Sequence, residues 1–376
     1  MRIGIDVRLD RTGIGRYTLR LVDELIGLGG EFEYVLFARA DTYRTLEDLH
    51  PNVERRLADI RWYTVAEQVR LPRILKAAGV DLVHFPHFNM PLVYDGPYVV
   101  TIHDLTHFRR LALANSTDDR GARPWKAIPY KIVLSRAVRR ATHVIAVSEA
   151  TKHAVISRLG VHSQRVSVTY EGVDTGLLAT SDPGAPERLG VRGPYFLYVG
   201  AAYPHKNLPR LLAGFARFHA AGVGMFQHRL VLTGDQGPYK ERLVSLATDL
   251  GIADSVTSTG SVTDAELSAL YRGATGLTLV SLSEGFGLTG LEAMALGVPV
   301  VASRIDSLLE VYGDAALFVN PLDVSEIADG LMRLADDHLL RERLRMLGMS
   351  RSARFSWRAT AEGTRDVYRS CLETSR

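Results

Sequence analysis

The stretch Glu284-Gly-Phe-Gly-Leu-Thr-Gly-Leu-Glu292 sets two carboxylates eight positions apart around a glycine-rich turn. It continues through Gly290-Leu-Glu-Ala-Met-Ala-Leu-Gly297 into the apolar Pro299-Val-Val-Ala302. That pattern reads as strand, tight loop, helix and strand. Backbone N–H groups entering a helix N-terminus suit an anion such as phosphate. Glu292 falls inside the helix, a turn beyond that point. It is either a solvated glutamate on an amphipathic helix or a buried acid that needs a hydrogen-bonding partner, such as a pair of ribose hydroxyls.

Working outward, short apolar runs alternate with helical periodicity along the whole chain. Strands are expected at residues 3–7, 34–37, 82–85, 98–102, 143–147 and 166–169, with a helix over 17–28. A second series is expected at 195–199, 230–232, 256–259, 277–280, 298–302 and 316–319. Strands alternating with helices predict parallel sheets covered on both faces. Between the series, Thr180-Ser-Asp-Pro-Gly-Ala-Pro186 is rich in turn formers and reads as the linker. Residues 355–368 read as one more amphipathic helix. The expected fold is α/β: two doubly wound domains of Rossmann type facing a cleft, with residues 1–178 in the first and 187–355 in the second. Ligands of such sheets bind outside the carboxyl ends of the strands.

Bulk properties agree with a two-domain enzyme. A length of 376 residues exceeds one ordinary core, and 46% hydrophobic with 23% charged residues is a globular composition. The net charge of +3 gives no case for nucleic acid. A single cysteine, Cys371, excludes an internal disulfide and fits a reducing cytoplasm. The chain enters a strand at once, so no signal peptide is expected, and no apolar run approaches the ~20 residues that span a bilayer.

The unusual residues follow strand ends. After the first strand, Gly13 and Gly15 either form a plain turn or let the backbone approach an anion; the longer three-glycine dinucleotide fingerprint is absent, which argues against hydride transfer. Thr101-Ile102 leads into His103-Asp104, a structural or a functional pair in which Asp104 orients the ring or caps the next turn. Ser148 fits a helix N-cap, and a hydroxyl at such a corner can also reach a ligand. After Tyr195–Val199 comes Gly200-Ala-Ala-Tyr-Pro-His-Lys206-Asn207, where Lys206 is a point charge suited to a diphosphate. Near Val262, Thr263 or Asp264 caps a helix, and Val262 offers backbone groups to a nucleobase edge or simply connects two elements.

Taken in chain order, the Thr-Ile-His-Asp-Leu, the Val-Ser-Glu-Ala-Thr, the Gly-x5-Lys-Asn, the Glu-x7-Glu element with its Gly-Phe-Gly-Leu and the late Phe-Ser-Trp resemble the retaining GT-B glycosyltransferases. That large bacterial family includes GDP-mannose-dependent mannosyltransferases. The resemblance covers nearly the whole chain and implies the following roles. Glu292 binds the ribose of a sugar nucleotide, and Glu284 contacts the transferred hexose. Backbone N–H groups of Phe286, Gly287, Leu288 and Thr289 meet the sugar and diphosphate, and Lys206 neutralises the leaving diphosphate. Gly13 and Gly15 close over the donor, His103 contacts the donor sugar, and residues 356–376 cross back to complete the first domain.

Two positions depart from the family pattern. Ala201 and Ala202 stand where many relatives carry an arginine, so one diphosphate contact is either missing or supplied elsewhere, by His205 or Arg16. Thr289 stands where many have proline and adds a hydroxyl at the helix N-terminus. The implied reaction moves mannose from GDP-mannose to a glycan or lipid-linked saccharide with no metal and no resident cofactor, in polysaccharide or O-antigen assembly. A UDP-sugar donor or a sugar-nucleotide epimerase of the same fold is the alternative. A binding-only paralogue would keep the loops but lose catalysis, and intact Glu284, Glu292, Lys206 and His103 argue against it. The basic residues between 109 and 140 suit an anionic bilayer or a lipid diphosphate, or form a solvated helix face; the expected location is the cytoplasm, at the inner face of the membrane if the first reading holds.

Overall fold

Most apolar runs are followed by a helix that must cover them, so the chain winds two parallel sheets. The computed structural model describes residues 1–9, 13–46, 52–105, 127–222, 227–235 and 237–374. The first series is β1 (Arg2–Asp6), α1 (Gly13–Gly27), β2 (Glu33–Ala38), α2 (Ala40–Thr45), β3 (Val53–Leu57), α3 (Val65–Ala77), β4 (Leu82–Phe85) and β5 (Tyr98–Ile102). It closes with α4 (Ala127–Arg140), β6 (His143–Ala146), α5 (Glu149–Leu159) and β7 (Val166–Val168). The second opens with α6 (Thr175–Ala179), α7 (Ala185–Arg188), β8 (Tyr195–Val199), α8 (Leu208–Ala220), β9 (Arg229–Thr233), α9 (Lys240–Asp249) and β10 (Val256–Gly260). Then come α10 (Asp264–Gly273), β11 (Gly276–Leu279), α11 (Leu288–Ala295), β12 (Val300–Ser303), α12 (Asp306–Tyr312) and β13 (Leu317–Val319). Helices α13 (Val324–Asp336), α14 (His338–Ser352) and α15 (Trp357–Thr374) complete the chain.

The sheets have the orders β3-β2-β1-β4-β5-β6-β7 and β10-β9-β8-β11-β12-β13, with every described pairing parallel. Both orders reverse beside their first strand, between β1 and β4 and between β8 and β11. That reversal opens a crevice at the carboxyl ends of the strands. The central strands are buried on both faces, as parallel sheets require: Leu82, Val83, His84 and Phe85 of β4 are all at most 1% exposed.

The chain divides into two compact units, Met1–Gly172 with Trp357–Arg376, and Val173–Ser356. In unit 1, α15 packs on α1 and is tied to the sheet by Thr360 Oγ1, which donates to Tyr170 O at 2.6 Å. In unit 2, α8 and α13 cover one face around Leu211, Phe215, Ile327 and Leu331, all fully buried.

Two expectations need correction. The stretch 180–186 is no linker: the crossing lies earlier, at Gly172–Val173. Val173 N–H donates to Phe355 O at 3.3 Å, Asp182 N–H donates to Ala265 O at 3.1 Å, and Leu177 and Ala185 are fully buried in unit 2. Turn formers here shape a packed corner rather than a tether. A seventh strand in unit 1, β3, was not expected, because Val53-Glu-Arg-Arg-Leu57 lies at the sheet edge, where charged residues are tolerated.

Candidate functional site

In unit 2 the loops after β8 and β11 flank the reversal of strand order. They are joined by Leu282 N–H, which donates to His205 O at 2.7 Å. Asn207 ends the short turn Pro204–Lys206 in the left-handed conformation, φ 62°. Its amide holds that turn in place by donating to Val280 O at 2.9 Å and Pro321 O at 2.7 Å. Lys206 therefore points from an anchored turn, and its Nζ lies 2.8 Å from Glu284 Oε1. Ser307 Oγ donates to Glu284 O at 2.8 Å and fixes the second loop. The cation and the first carboxylate of the opening motif are thus direct partners in this structure.

Gly287 caps α11 in the left-handed region, φ 85°. A Cβ there would lie 2.4 Å from Tyr312 Oη, and one on Gly290 only 2.1 Å from it. Tyr312 is fully buried and donates to Gly287 O. Gly287 and Gly290 are required by this tyrosine, which packs on the first turn of α11. Burial, with Glu284 and Glu292 as negative neighbours, holds the Tyr312 phenol protonated far above its usual range. Phe286 turns its ring inward, edge-on to Phe355 at 5.6 Å. Leu288 and Thr289 form the opening turn of α11, and Thr289 O accepts from Tyr271 Oη at 3.2 Å.

Glu292 is 1% exposed, which excludes the solvated helix face. Its Oε2 accepts from Tyr271 Oη at 3.1 Å. A carboxylate kept this deep is costly unless hydrogen-bonded. Val262 is half-buried and precedes α10, whose capping box joins Thr263 and Glu266. Thr263, rather than Asp264, is the cap.

In unit 1, α1 starts at Gly13, so Gly13 and Gly15 lie in a helical first turn rather than a free loop. A Cβ at Gly13 would meet nothing within 4 Å, so that position does not need glycine for space. His103 follows β5, and the carboxylate beside it is Glu171, not Asp104: Nδ1 lies 2.9 Å from Glu171 Oε1 and Nε2 2.9 Å from Pro86 O. Tyr17 meets the ring edge-on at 4.6 Å. Ser148 is fully buried, accepts from Thr151 N–H at 3.1 Å and donates to Thr151 Oγ1 at 3.0 Å. Its hydroxyl caps α5.

Of the basic segment, residues 109–126 lie outside the described residues. Lys131, Arg136, Arg139 and Arg140 of α4 join Arg158 of α5 around a cavity of about 590 Å³. Several of these sit in last helical turns, where the helix dipole favours cations. Among the described residues, no helix is long and apolar enough to cross a membrane.

One cluster escaped the sequence reading. Arg8 is fully buried, with Nε 2.8 Å from Asp6 Oδ1, Nη2 2.7 Å from Asp6 Oδ2 and Nη2 2.8 Å from Glu67 Oε1. Asn89 Nδ2 also donates to Glu67 Oε1, at 2.9 Å. Burial alone would lower the Arg8 pKa, but Asp6 and Glu67 outweigh it and raise the value. The only signal in the sequence was the short spacing of Asp6 and Arg8 at a strand end.

Known proteins share this build. The family model "Glycosyl transferases group 1" matches residues 185–348, and "Glycosyltransferase Family 4" matches residues 11–177. The D-inositol 3-phosphate glycosyltransferase of Frankia alni is 30% identical, with 96% of this chain and 95% of that protein covered. The O-antigen chain mannosyltransferase B of Escherichia coli is 29% identical over 96% of this chain and 97% of its own length. The fold of sucrose-phosphate synthase from Thermosynechococcus elongatus is alike throughout, with a TM-score of 0.78 at 19% identity and full coverage of both chains. Matched from end to end, in both sheets and in the loops that finish them, the chain belongs to the GT-B glycosyltransferases.

Proposed function

We propose that this glycosyltransferase moves mannose from GDP-mannose to a hydroxyl of a glycan or lipid-linked saccharide, with retention of the anomeric configuration, in polysaccharide or O-antigen assembly. The observation that carries the reading is the Lys206–Glu284 pair beside the N-terminus of α11, with Glu292 buried one turn further on. Breaking a glycosyl–phosphate bond builds negative charge on the leaving diphosphate. A fixed cation and a helix N-terminus stabilise that charge, at about 3 kcal/mol for a well-placed donor. In the proposed reaction Lys206 exchanges Glu284 for the diphosphate, which frees Glu284 for the hydroxyls of the hexose. The loop and first turn of α11, from Phe286 and Gly287 to Leu288 and Thr289, receive the sugar and phosphates, and Glu292 takes the ribose. His103 reaches the sugar through a ring nitrogen only by giving up Glu171 or Pro86. Positive charge from Lys206 and α11 serves in place of a divalent cation.

Mannose as the sugar is supported by the mannosyltransferase relative. The basic cavity on α4 and α5 supports peripheral contact with anionic lipid; failure of anionic vesicles to sediment the protein at low salt would end that part of the reading.

The test is thermal stability with GDP, UDP and ADP, each with and without Mg²⁺. A ligand at about 100 times its dissociation constant adds about 2.7 kcal/mol. The expected result is a rise with GDP alone, independent of Mg²⁺. A rise with UDP alone replaces the donor, and no rise with any nucleotide overturns the donor site.

A further inference from the structure

Among the described residues, Tyr63 and Asn207 alone are non-glycine residues with positive φ. Asn207 has its reason: asparagine tolerates the left-handed region and its amide pins two loops. Tyr63, φ 56°, has none in its own packing, since the residue is 67% exposed. A bulky side chain in that region is an outlier that surrounding structure must enforce.

The enforcement is visible. Tyr63 N–H donates to Glu67 Oε2 at 2.8 Å. Glu67 is itself fully buried, and its other oxygen takes both Arg8 and Asn89. Arg8 Nη1 also donates to Ile60 O at 3.3 Å. One buried network therefore ties the loops after β1, β3 and β4, beside the reversal of strand order in unit 1, and its outer edge holds the largely exposed Tyr63. Val65, the first residue of α3, and Val93, in the loop after β4, are 81% and 63% exposed and add apolar surface. Cation and carboxylates that could have met a ligand are spent inside the protein, and an aromatic face is what the network presents.

We propose that Tyr63 is a specificity-determining residue of unit 1, the platform on which a sugar ring of the acceptor stacks by its axial C–H face. This rests on the reading of a saccharide acceptor. An aromatic face recognises the C–H face of a sugar ring with little dependence on charge, and the reading above already gives the nucleotide to unit 2.

The test uses the full chain with Tyr63→Phe, Tyr63→Ala and Tyr63→Gly, the last because glycine accepts the backbone angle without strain. Transfer to mannose-, glucose- and galactose-terminated oligosaccharides is measured alongside nucleotide affinity. The alanine and glycine variants should raise the acceptor KM about tenfold, as loss of an aromatic contact would, with phenylalanine near wild type and nucleotide Kd unchanged. A wild-type acceptor KM in the folded glycine variant, or a nucleotide Kd that rises in parallel, overturns the platform alone. A wild-type protein that binds nucleotide but transfers to none of these sugars overturns the platform together with the saccharide reading.

Discussion

At the reversal of strand order in unit 1, Arg8 lies fully buried between Asp6 and Glu67; at the same point of unit 2, Lys206 and Glu284 keep 21% and 11% of their side-chain surface in solvent. The strand order at the two places is the same. The chemistry differs because of what is left exchangeable. A guanidinium held in a fork by one carboxylate and bridged to a second has its donors committed, and breaking such a buried set is expensive. A lysine meeting one carboxylate at the edge of solvent can trade that partner for an anionic ligand at small cost. Topology thus supplies a crevice twice, and the depth of the ion pair decides whether the crevice is braced or reactive.

The comparison breaks most sharply in a pair of substitutions. Glu67→Ala should cost about 3 kcal/mol of stability, because it leaves Arg8 buried with one of its two carboxylates. Lys206→Ala should change stability by ~1 kcal/mol or less but lower turnover about 100-fold, since it removes the donor at the leaving group. Urea unfolding and steady-state kinetics on both variants decide the matter. If Glu67→Ala proves as stable as wild type, or Lys206→Ala turns over normally, the division into brace and reactive pair is wrong.

A second brace in unit 1 should show itself in acid. His84 is fully buried on β4, with Nδ1 2.6 Å from Tyr368 Oη and Nε2 2.8 Å from Thr101 Oγ1. Burial first, and the neighbouring His103 second, lower its pKa from 6.5 to about 3. Between those values the unfolded chain binds a proton that the folded chain refuses, so stability is complete above 6.5 and falls as the pH drops below it. The loss should reach about 2 kcal/mol by pH 5. His84→Gln should flatten this part of the profile, and parallel profiles for variant and wild type would remove His84 as its cause.

Much of this was legible in the amino-acid order. The two series of strands, the final helix and the turn at Lys206 all follow from apolar periodicity and glycine placement. What stayed hidden was long-range pairing. Arg8 and Glu67 are 59 positions apart, and both types are normally exposed, so nothing local marked them as partners. The same limit made Asp104, adjacent in sequence, a more visible partner for His103 than Glu171, 68 positions away. The charged strand β3 hid because edge strands lack the apolar signature of central ones. The sequence offered the glycine-rich turn as backbone N–H groups for phosphate, but no spacing rule connects it to Tyr312, which requires Gly287 and Gly290 to lack a side chain.

The smallest effect sharpens the comparison at a single hydroxyl. Ser148 stands at a strand-to-helix corner of unit 1, where a ligand role and a capping role predict different losses. Its Oγ is fully buried and bonded twice to Thr151, and Thr151 Oγ1 in turn donates to His103 O at 3.4 Å. Ser148→Ala should therefore cost ~1 kcal/mol of stability, the ordinary price of an N-cap, with nucleotide affinity unchanged. Calorimetric titration beside a melting curve separates the two. A variant that keeps its melting temperature but loses nucleotide affinity would make Ser148 a ligand contact, and the polar residues of unit 1 could no longer be counted as bracing alone.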